Sequence, residues 1–262
     1  MKAENFKLTD YARRIGYTGE LTASVTTLTE FMKRQLLTVP FENLDVQAGK
    51  IVSLVPEDIA GKILYKPRGG YCYEVNGLFA MALEALGIEY QILGARPMFY
   101  PTRRARTHMV IIAKIDGRQF LCDCGFGAFG IREPIALDQA NQIIQQGDDK
   151  FRLLSDDNQN FTLQAFTEGE WASQFGFDLY PHEMVDFMPA NFFNSKHPDT
   201  IFVQKLLVAL ITPNGRKILL DGRLKRIEKG EVSFEDYSKE EIPALLEREF
   251  GLESLARQET GD

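Results

Sequence analysis

Thr107-His108-Met109-Val110-Ile111-Ile112-Ala113-Lys114-Ile115-Asp116-Gly117-Arg118-Gln119-Phe120-Leu121-Cys122-Asp123-Cys124-Gly125-Phe126-Gly127 is two apolar runs around an Asp-Gly pair. Asp-Gly between strand-like runs signals a two-residue hairpin turn, because both central positions need positive φ. The runs are then strands, Thr107 to Ile115 and Gln119 to Cys124. In that turn Ile115 faces Arg118, and counting back places Val110 opposite Asp123 and His108 opposite Gly125. A strand alternates every residue, so His108 and Asp123 share one face as diagonal neighbours, roughly 7 Å apart at Cβ. A slip of one residue would put them on opposite faces. Asp123 sits among apolar residues, where an unpartnered carboxylate is costly to bury. His108 is its nearest partner. Cys122 and Cys124 point to the other face and are assigned to the core.

Upstream the texture is helical. Leu21, Val25, Leu28, Phe31, Met32, Leu36 and Leu37 recur at helical spacing until Pro40. Pro56-Glu57-Asp58 opens a short helix through Ile63 and Leu64. Arg68-Gly69-Gly70-Tyr71-Cys72-Tyr73-Glu74 leads into a longer one, with Val75, Leu78, Phe79, Ala82, Leu83 and Leu86 on one face and Gly87 as its stop. Downstream, Gln91 to Ala95 and the runs 161–166 and 202–212 continue the strand pattern. Asn214-Gly215 marks a second hairpin towards Lys217–Leu220, and Glu240 to Phe250 closes the chain as a helix with Pro243 in its first turn. Helices first, strands next and a mixed end make an α+β chain.

Composition bounds the rest. With 44% hydrophobic and 26% charged residues, 262 residues can bury a large core without staples. The formal charge of -7 is opposite to that of a general nucleic-acid binder. One local basic cluster, Arg103-Arg104-Ala105-Arg106, is either a solvated loop or a patch that meets the phosphates of a ligand. No apolar run approaches the ~20 residues that span a bilayer, and the polar N-terminal residues show no signal peptide. Three cysteines, Cys72, Cys122 and Cys124, are too few for a disulfide framework. These features predict a cytoplasmic protein without membrane or nucleic-acid partners. A zinc site from the cysteines and His108 is disfavoured: the spacing is wrong and Cys122 and Cys124 face away.

Cys72 stands apart from the other thiols. A helix N-terminus favours its thiolate, and Gly69 and Gly70 allow close approach. A nucleophilic cysteine needs a base, and the base needs an orienting group. His108 and Asp123 fill both roles, which predicts a resting Cys72 thiolate–His108 imidazolium pair. His182 and His197 carry no such argument and are assigned surface or structural places.

These segments closely resemble the arylamine N-acetyltransferase family. Arg68 to Glu74 resembles its active-site signature, and Val39-Pro40-Phe41-Glu42-Asn43-Leu44 its N-terminal one. Thr107-His108-Met109-Val110 and Asp123-Cys124-Gly125-Phe126-Gly127 match the segments holding its histidine and aspartate. Tyr11, Arg14, Ile15, Gly16 and Tyr17 fit its opening helix, and Asn191, Phe192, His197, Pro198 and Phe202 a segment after the barrel. The resemblance implies a helical bundle (1–87), a central β-barrel (88–200) and an α/β lid (201–262). It implies a Cys72–His108–Asp123 triad of the cysteine-protease kind, and ping-pong transfer from acetyl-CoA to an arylamine or hydrazine, with no metal. Phe126 would line the acceptor pocket, Gly125 and Gly127 would lie near bound CoA, and Arg68 and Glu42 would pair structurally near the site. Cys124 departs from the family, which has small aliphatic residues there. An amide synthase of the same superfamily, a papain-like or transglutaminase-like thiol hydrolase and a non-catalytic module are the alternatives.

Overall fold

The helical first third begins with α1 (Leu8–Arg14) and α2 (Val25–Thr38). The Ser24 hydroxyl accepts from Thr27 N and starts α2 there, so Leu21 lies before the helix. A two-residue strand β1 (Phe41–Glu42), a single turn α3 (Leu44–Gln47) and α4 (Pro56–Tyr65) follow. Next comes α5 (Cys72–Leu86), ended by Gly87 at φ 74°. The computed structural model describes residues 1–127 and 129–253.

Strands β2 (Glu89–Pro97), β3 (His108–Ile115), β4 (Arg118–Cys122), β5 (Ile135–Ala136), β6 (Ile143–Gln146), β7 (Asp149–Ser155), β8 (Phe161–Thr167), β9 (Glu170–Phe177) and β10 (Pro181–His182) form one sheet. Its order is β5-β4-β3-β2-β9-β8-β7-β6, with β10 against β2. The expected barrel is therefore a half-barrel, since β5 and β6 end the sheet without pairing to each other among the described residues. Helices α6 (Met188–Lys196) and α7 (Ile201–Gln204) lead to β11 (Leu207–Thr212), β12 (Gly215–Leu220), β13 (Arg223–Glu228), β14 (Glu231–Asp236) and α8 (Ile242–Phe250). These four strands and β1 make a second, antiparallel sheet ordered β1-β11-β12-β13-β14.

The key hairpin has the expected register: Ile115 faces Arg118 and Ile111 faces Cys122. Asp116 and Gly117 both have positive φ, 51° and 77°. The ladder stops at Cys122, so the expected pairs Val110–Asp123 and His108–Gly125 do not form. The backbone turns aside because Cys124 N donates to Asn76 Oδ1 and Gly125 N to Asp123 Oδ1, both at 2.8 Å. Two other expectations need correction. Run 202–212 is not one strand: Thr200 Oγ1 accepts from Val203 N and caps a helical turn, and the strand begins at Leu207. The turn of the second hairpin is Pro213-Asn214, since Thr212 already faces Gly215. Proline suits the first central position of a turn. Gly215 belongs to the strand for a different reason: a Cβ there would meet the Ile227 carbonyl oxygen at 1.7 Å.

A large apolar core joins α1, α2, α4 and α5 to the half-barrel and contains Cys122 and Cys124. A smaller one packs α8 through Leu245, Leu246 and Phe250 onto Val208, Leu219 and Leu224 of the second sheet. Between them Cys72, Tyr71, Phe41 and Met109 share a cluster with Ala209. No helix is long and apolar enough to cross a membrane among the described residues.

Candidate active site

Cys72 is the first residue of α5, and Glu74 holds that helix start by accepting from Tyr71 N at 3.0 Å. His108 opens β3 and Asp123 follows β4 directly. His108 Nε2 lies 2.7 Å from Asp123 Oδ2, and both residues are buried. A carboxylate can only accept, so Nε2 carries the hydrogen and Nδ1 is left as the basic nitrogen. No described residue hydrogen-bonds to Nδ1. Cys72 and His108 line one cavity of about 100 Å³ together with Phe126 and Gly125. The Cys72 Sγ is 3.9 Å from the carbonyl oxygen of Thr107, the residue before His108.

Asn76, one turn after Cys72 on α5, joins the two halves and was not singled out in the sequence. Its Nδ2 donates to Met109 O at 2.7 Å and Asp123 Oδ1 at 3.0 Å, while its Oδ1 accepts from Cys124 N. An amide on a face otherwise occupied by Val75, Phe79 and Leu83 is the signal that could have found it. With Oδ1 held by Asn76 and Gly125 N, the second carboxylate oxygen of Asp123 is the one presented to His108.

Burial pushes the Cys72 thiol well above its usual range, and the Asp123 carboxylate adds to the rise. The helix start does not offset this. The same causes, burial first, raise Cys122 and Cys124. A thiolate at Cys72 with no cationic partner is disfavoured by that burial.

The remaining expected residues fall close by. Gly125 packs against the nucleophile's helix: a Cβ on it would meet Cys72 Cα at 2.7 Å. Gly127 has φ 78° and abuts the Phe41 ring. The Phe126 ring meets His108 edge-on at 5.2 Å and Phe175 at 5.0 Å. Arg68 Nε donates to Glu42 Oε1 at 2.9 Å, within a larger cluster. There Lys62 reaches Asp45 at 2.6 Å and Glu74 at 2.8 Å. Burial, reinforced by Glu42, raises the Glu74 carboxyl to about 7 in spite of Lys62, while Lys62 is itself raised by its acidic neighbours. The Tyr71 hydroxyl donates to Asn191 Oδ1. His182 packs over Gly94 and His197 stacks on Phe193, and neither lines the cavity.

The basic cluster borders the same cavity. Arg104 lines it, with its guanidinium carbon 4.6 Å from the Tyr100 ring centre. Arg96, Arg103 and Arg106 line an adjoining open groove that shares Pro97 and Tyr100 with it. Of these four arginines, only Arg106 has a carboxylate partner among the described residues, Asp178.

This geometry defines a class: an α+β chain whose helix-borne thiol shares a cavity with a strand-borne imidazole backed by a carboxylate. Comparison with known proteins narrows it. A family model described as N-acetyltransferase matches residues 24–259. The arylamine N-acetyltransferase / N-hydroxyarylamine O-acetyltransferase of Salmonella typhimurium is 31% identical over 220 residues, covering 82% of this chain and 77% of that one. The arylamine N-acetyltransferase of Mycolicibacterium smegmatis is 33% identical over 213 residues, covering 79% and 77%. The arylamine N-acetyltransferase of Mycobacterium marinum, solved in complex with CoA, superimposes with a TM-score of 0.89 at 29% identity over 98% and 95% of the two chains. The chain belongs to the arylamine N-acetyltransferase family and is an acyltransferase.

Proposed function

We propose that this protein transfers an acetyl group from acetyl-CoA to an arylamine, arylhydrazine or related amine by a ping-pong route through acetyl-Cys72. The observation that carries the reading is the cavity that Cys72 and His108 both line, with Asp123 2.7 Å behind the imidazole. The nucleophile, the base and the orienting group are then all supplied by this chain.

In the first half-reaction His108 Nδ1 takes the Cys72 proton as Sγ attacks the acetyl carbonyl. Asp123 stabilises the imidazolium that forms, and His108 gives the proton to the departing CoA sulfur. In the second, the amine nitrogen attacks the thioester carbon, the C–S bond breaks, and His108 carries one amine proton back to Sγ. Proton transfer within the pair leaves the net charge of the site unchanged, so the reaction avoids a bare Cys72 thiolate.

The cavity and its rim fit both substrates. Arg104 at the wall and Arg96 and Arg103 in the adjoining groove suit the phosphates of CoA. Phe99, Phe126, Phe193 and Phe202 suit an aromatic acceptor. About 100 Å³ favours a single-ring amine over the long chain an amide synthase would release. Gly125 and Gly127 keep the backbone close to Cys72 and Phe41, and the Arg68–Glu42 pair supports the loop that leads to Cys72. Three free thiols suit a reducing, cytoplasmic setting. We place the unit boundaries at 87 and 200, so that the nucleophile comes from one unit and the histidine and aspartate from the next. Intact-protein mass spectrometry after mixing with acetyl-CoA alone should show one acetyl group, mapped to Cys72. An acetyl group on Cys122 or Cys124, or none, would reject the reading.

A further inference from the structure

We infer that Asn194 is a specificity-determining residue whose side-chain oxygen accepts the second hydrogen of a primary amine as that amine attacks acetyl-Cys72. The inference rests on the acyl-cysteine reading above.

Asn194 lies on α6, far in sequence from the nucleophile, yet lines the same cavity and is only 3% exposed. Its amide nitrogen faces two acceptors. Nδ2 lies 3.1 Å from Thr107 O and 3.3 Å from Tyr73 Oη, and because a carbonyl oxygen can only accept, the nitrogen and not the oxygen must face Thr107. Tyr73 Oη donates to the same carbonyl at 2.8 Å. The orientation of the amide is therefore set: the nitrogen faces Thr107 and the oxygen faces the other way. No described donor reaches that oxygen.

The Cys72 Sγ converges on the same carbonyl, at 3.9 Å. Two groups that touch one atom, at 3.9 and 3.1 Å, cannot lie further apart than those two lengths together. Asn194 therefore lies close to Cys72 on the wall of the cavity that Cys72 and His108 also line. The nearby walls are largely aromatic, with Phe126, Phe193 and Phe202 among them.

The chemistry supplies a use for a free acceptor there. A primary amine or hydrazine attacks with two N–H hydrogens, and both become more acidic as the nitrogen gains positive charge. His108 can take only one. The other has lost its water in an apolar cavity, and an unmatched donor is penalised there. The Asn194 oxygen answers it. A secondary amine has a single hydrogen, which goes to His108, and makes no demand on Asn194. Acylation of Cys72 by the donor involves no amine and makes none either.

The test uses the full chain with Asn194→Leu, similar in size, and Asn194→Ala in parallel. Cys72 is first acetylated with acetyl-CoA and the rate recorded. Transfer from acetyl-enzyme to aniline and to N-methylaniline is then followed by single-turnover kinetics. We expect acetylation within about twofold of the parent protein, transfer to aniline slower by about tenfold, the scale of one lost hydrogen bond, and transfer to N-methylaniline unchanged. Equal losses for the two amines, or acetylation slowed as much as transfer, would show that Asn194 only holds Thr107 in place and would overturn the inference. Failure of the unsubstituted protein to accept an acetyl group on Cys72 would instead reject the acyl-cysteine reading, and this inference with it.

Discussion

Cys72 shows how little a residue's chemistry follows from its local setting alone. A helix start favours a thiolate, but burial and Asp123 act more strongly and push the thiol up. In the reading proposed above, reactivity at neutral pH comes from His108 as an internal proton acceptor. Alkylation of Cys72 by iodoacetamide tests this. His108→Gln should slow it at pH 7 by about a hundredfold, the lower range for loss of a general base, and move the pH profile above that of an ordinary thiol. A profile unchanged by the substitution would remove His108 from the proton path. Phe126, edge-on to His108, belongs at the same scale. Phe126→Ser should reorder the preference among amines while leaving acetylation of Cys72 within a few-fold, measured by burst amplitude and rate.

At the scale of elements, α5 does two jobs: it presents Cys72 and, through Asn76, grips both strands of the hairpin. Asn76→Ala leaves Met109 O and Cys124 N without their partner and frees one oxygen of Asp123. Unsatisfied buried groups of this kind cost about 1–3 kcal/mol each. Chemical denaturation should show a loss of about 3 kcal/mol, and acetylation should fall with it. The start of α5 also carries a pH signature. Glu74 is raised to about 7 in the folded state, against 4.5 when unfolded. A raised carboxyl favours the folded state most when protonated, so its contribution is present below about pH 4.5 and fades as pH rises through 7. The full effect is on the order of 3 kcal/mol. Glu74→Gln keeps an acceptor for Tyr71 N. Its stability relative to the parent should therefore climb between pH 5 and 8, as read by urea midpoints at each pH. A constant difference would mean that Glu74 titrates normally.

For the whole molecule, the notable fact is that the N-terminal part of the chain supplies a strand to the C-terminal sheet. Phe41 and Glu42 pair with Ala209 and Val208. Asn43, next in sequence, donates to Phe202 O and Lys205 O and accepts from Leu207 N, all at 2.8 Å. One side chain thus fastens the second sheet to the segment between β1 and α3, and Phe41 of β1 in turn bridges to Gly70 in the loop before the nucleophile helix. Asn43→Ala should cost about 3 kcal/mol. It should also speed amide exchange across Leu207–Thr212 more than across His108–Ile115. Uniform acceleration in both strands would mean that the two sheets unfold as one.

Much of the site was legible in the sequence, because its central part is local. A two-residue turn fixes the register of the ladder that follows it, so Asp116-Gly117 brought His108 and Asp123 to the same end of the hairpin, but their contact forms beyond the last pair, Ile111–Cys122, where Asn76 and Gly125 N hold Asp123. Proline and glycine marked the ends of α4 and α5 in the same way, since their backbone limits act where they stand. What failed also failed for local reasons: a cap at Thr200 split the run 202–212, and Pro213 drew the second turn one residue upstream. Tertiary structure alone decided the rest. Asn76 ties helix α5 to the hairpin beside a shared apolar core, and Asn194 of α6 bonds to Thr107 and Tyr73. The raised thiol of Cys72 and the open edges of the half-barrel have the same origin. Burial, desolvation and the convergence of distant side chains depend on how whole elements pack, and no spacing along the chain encodes that packing.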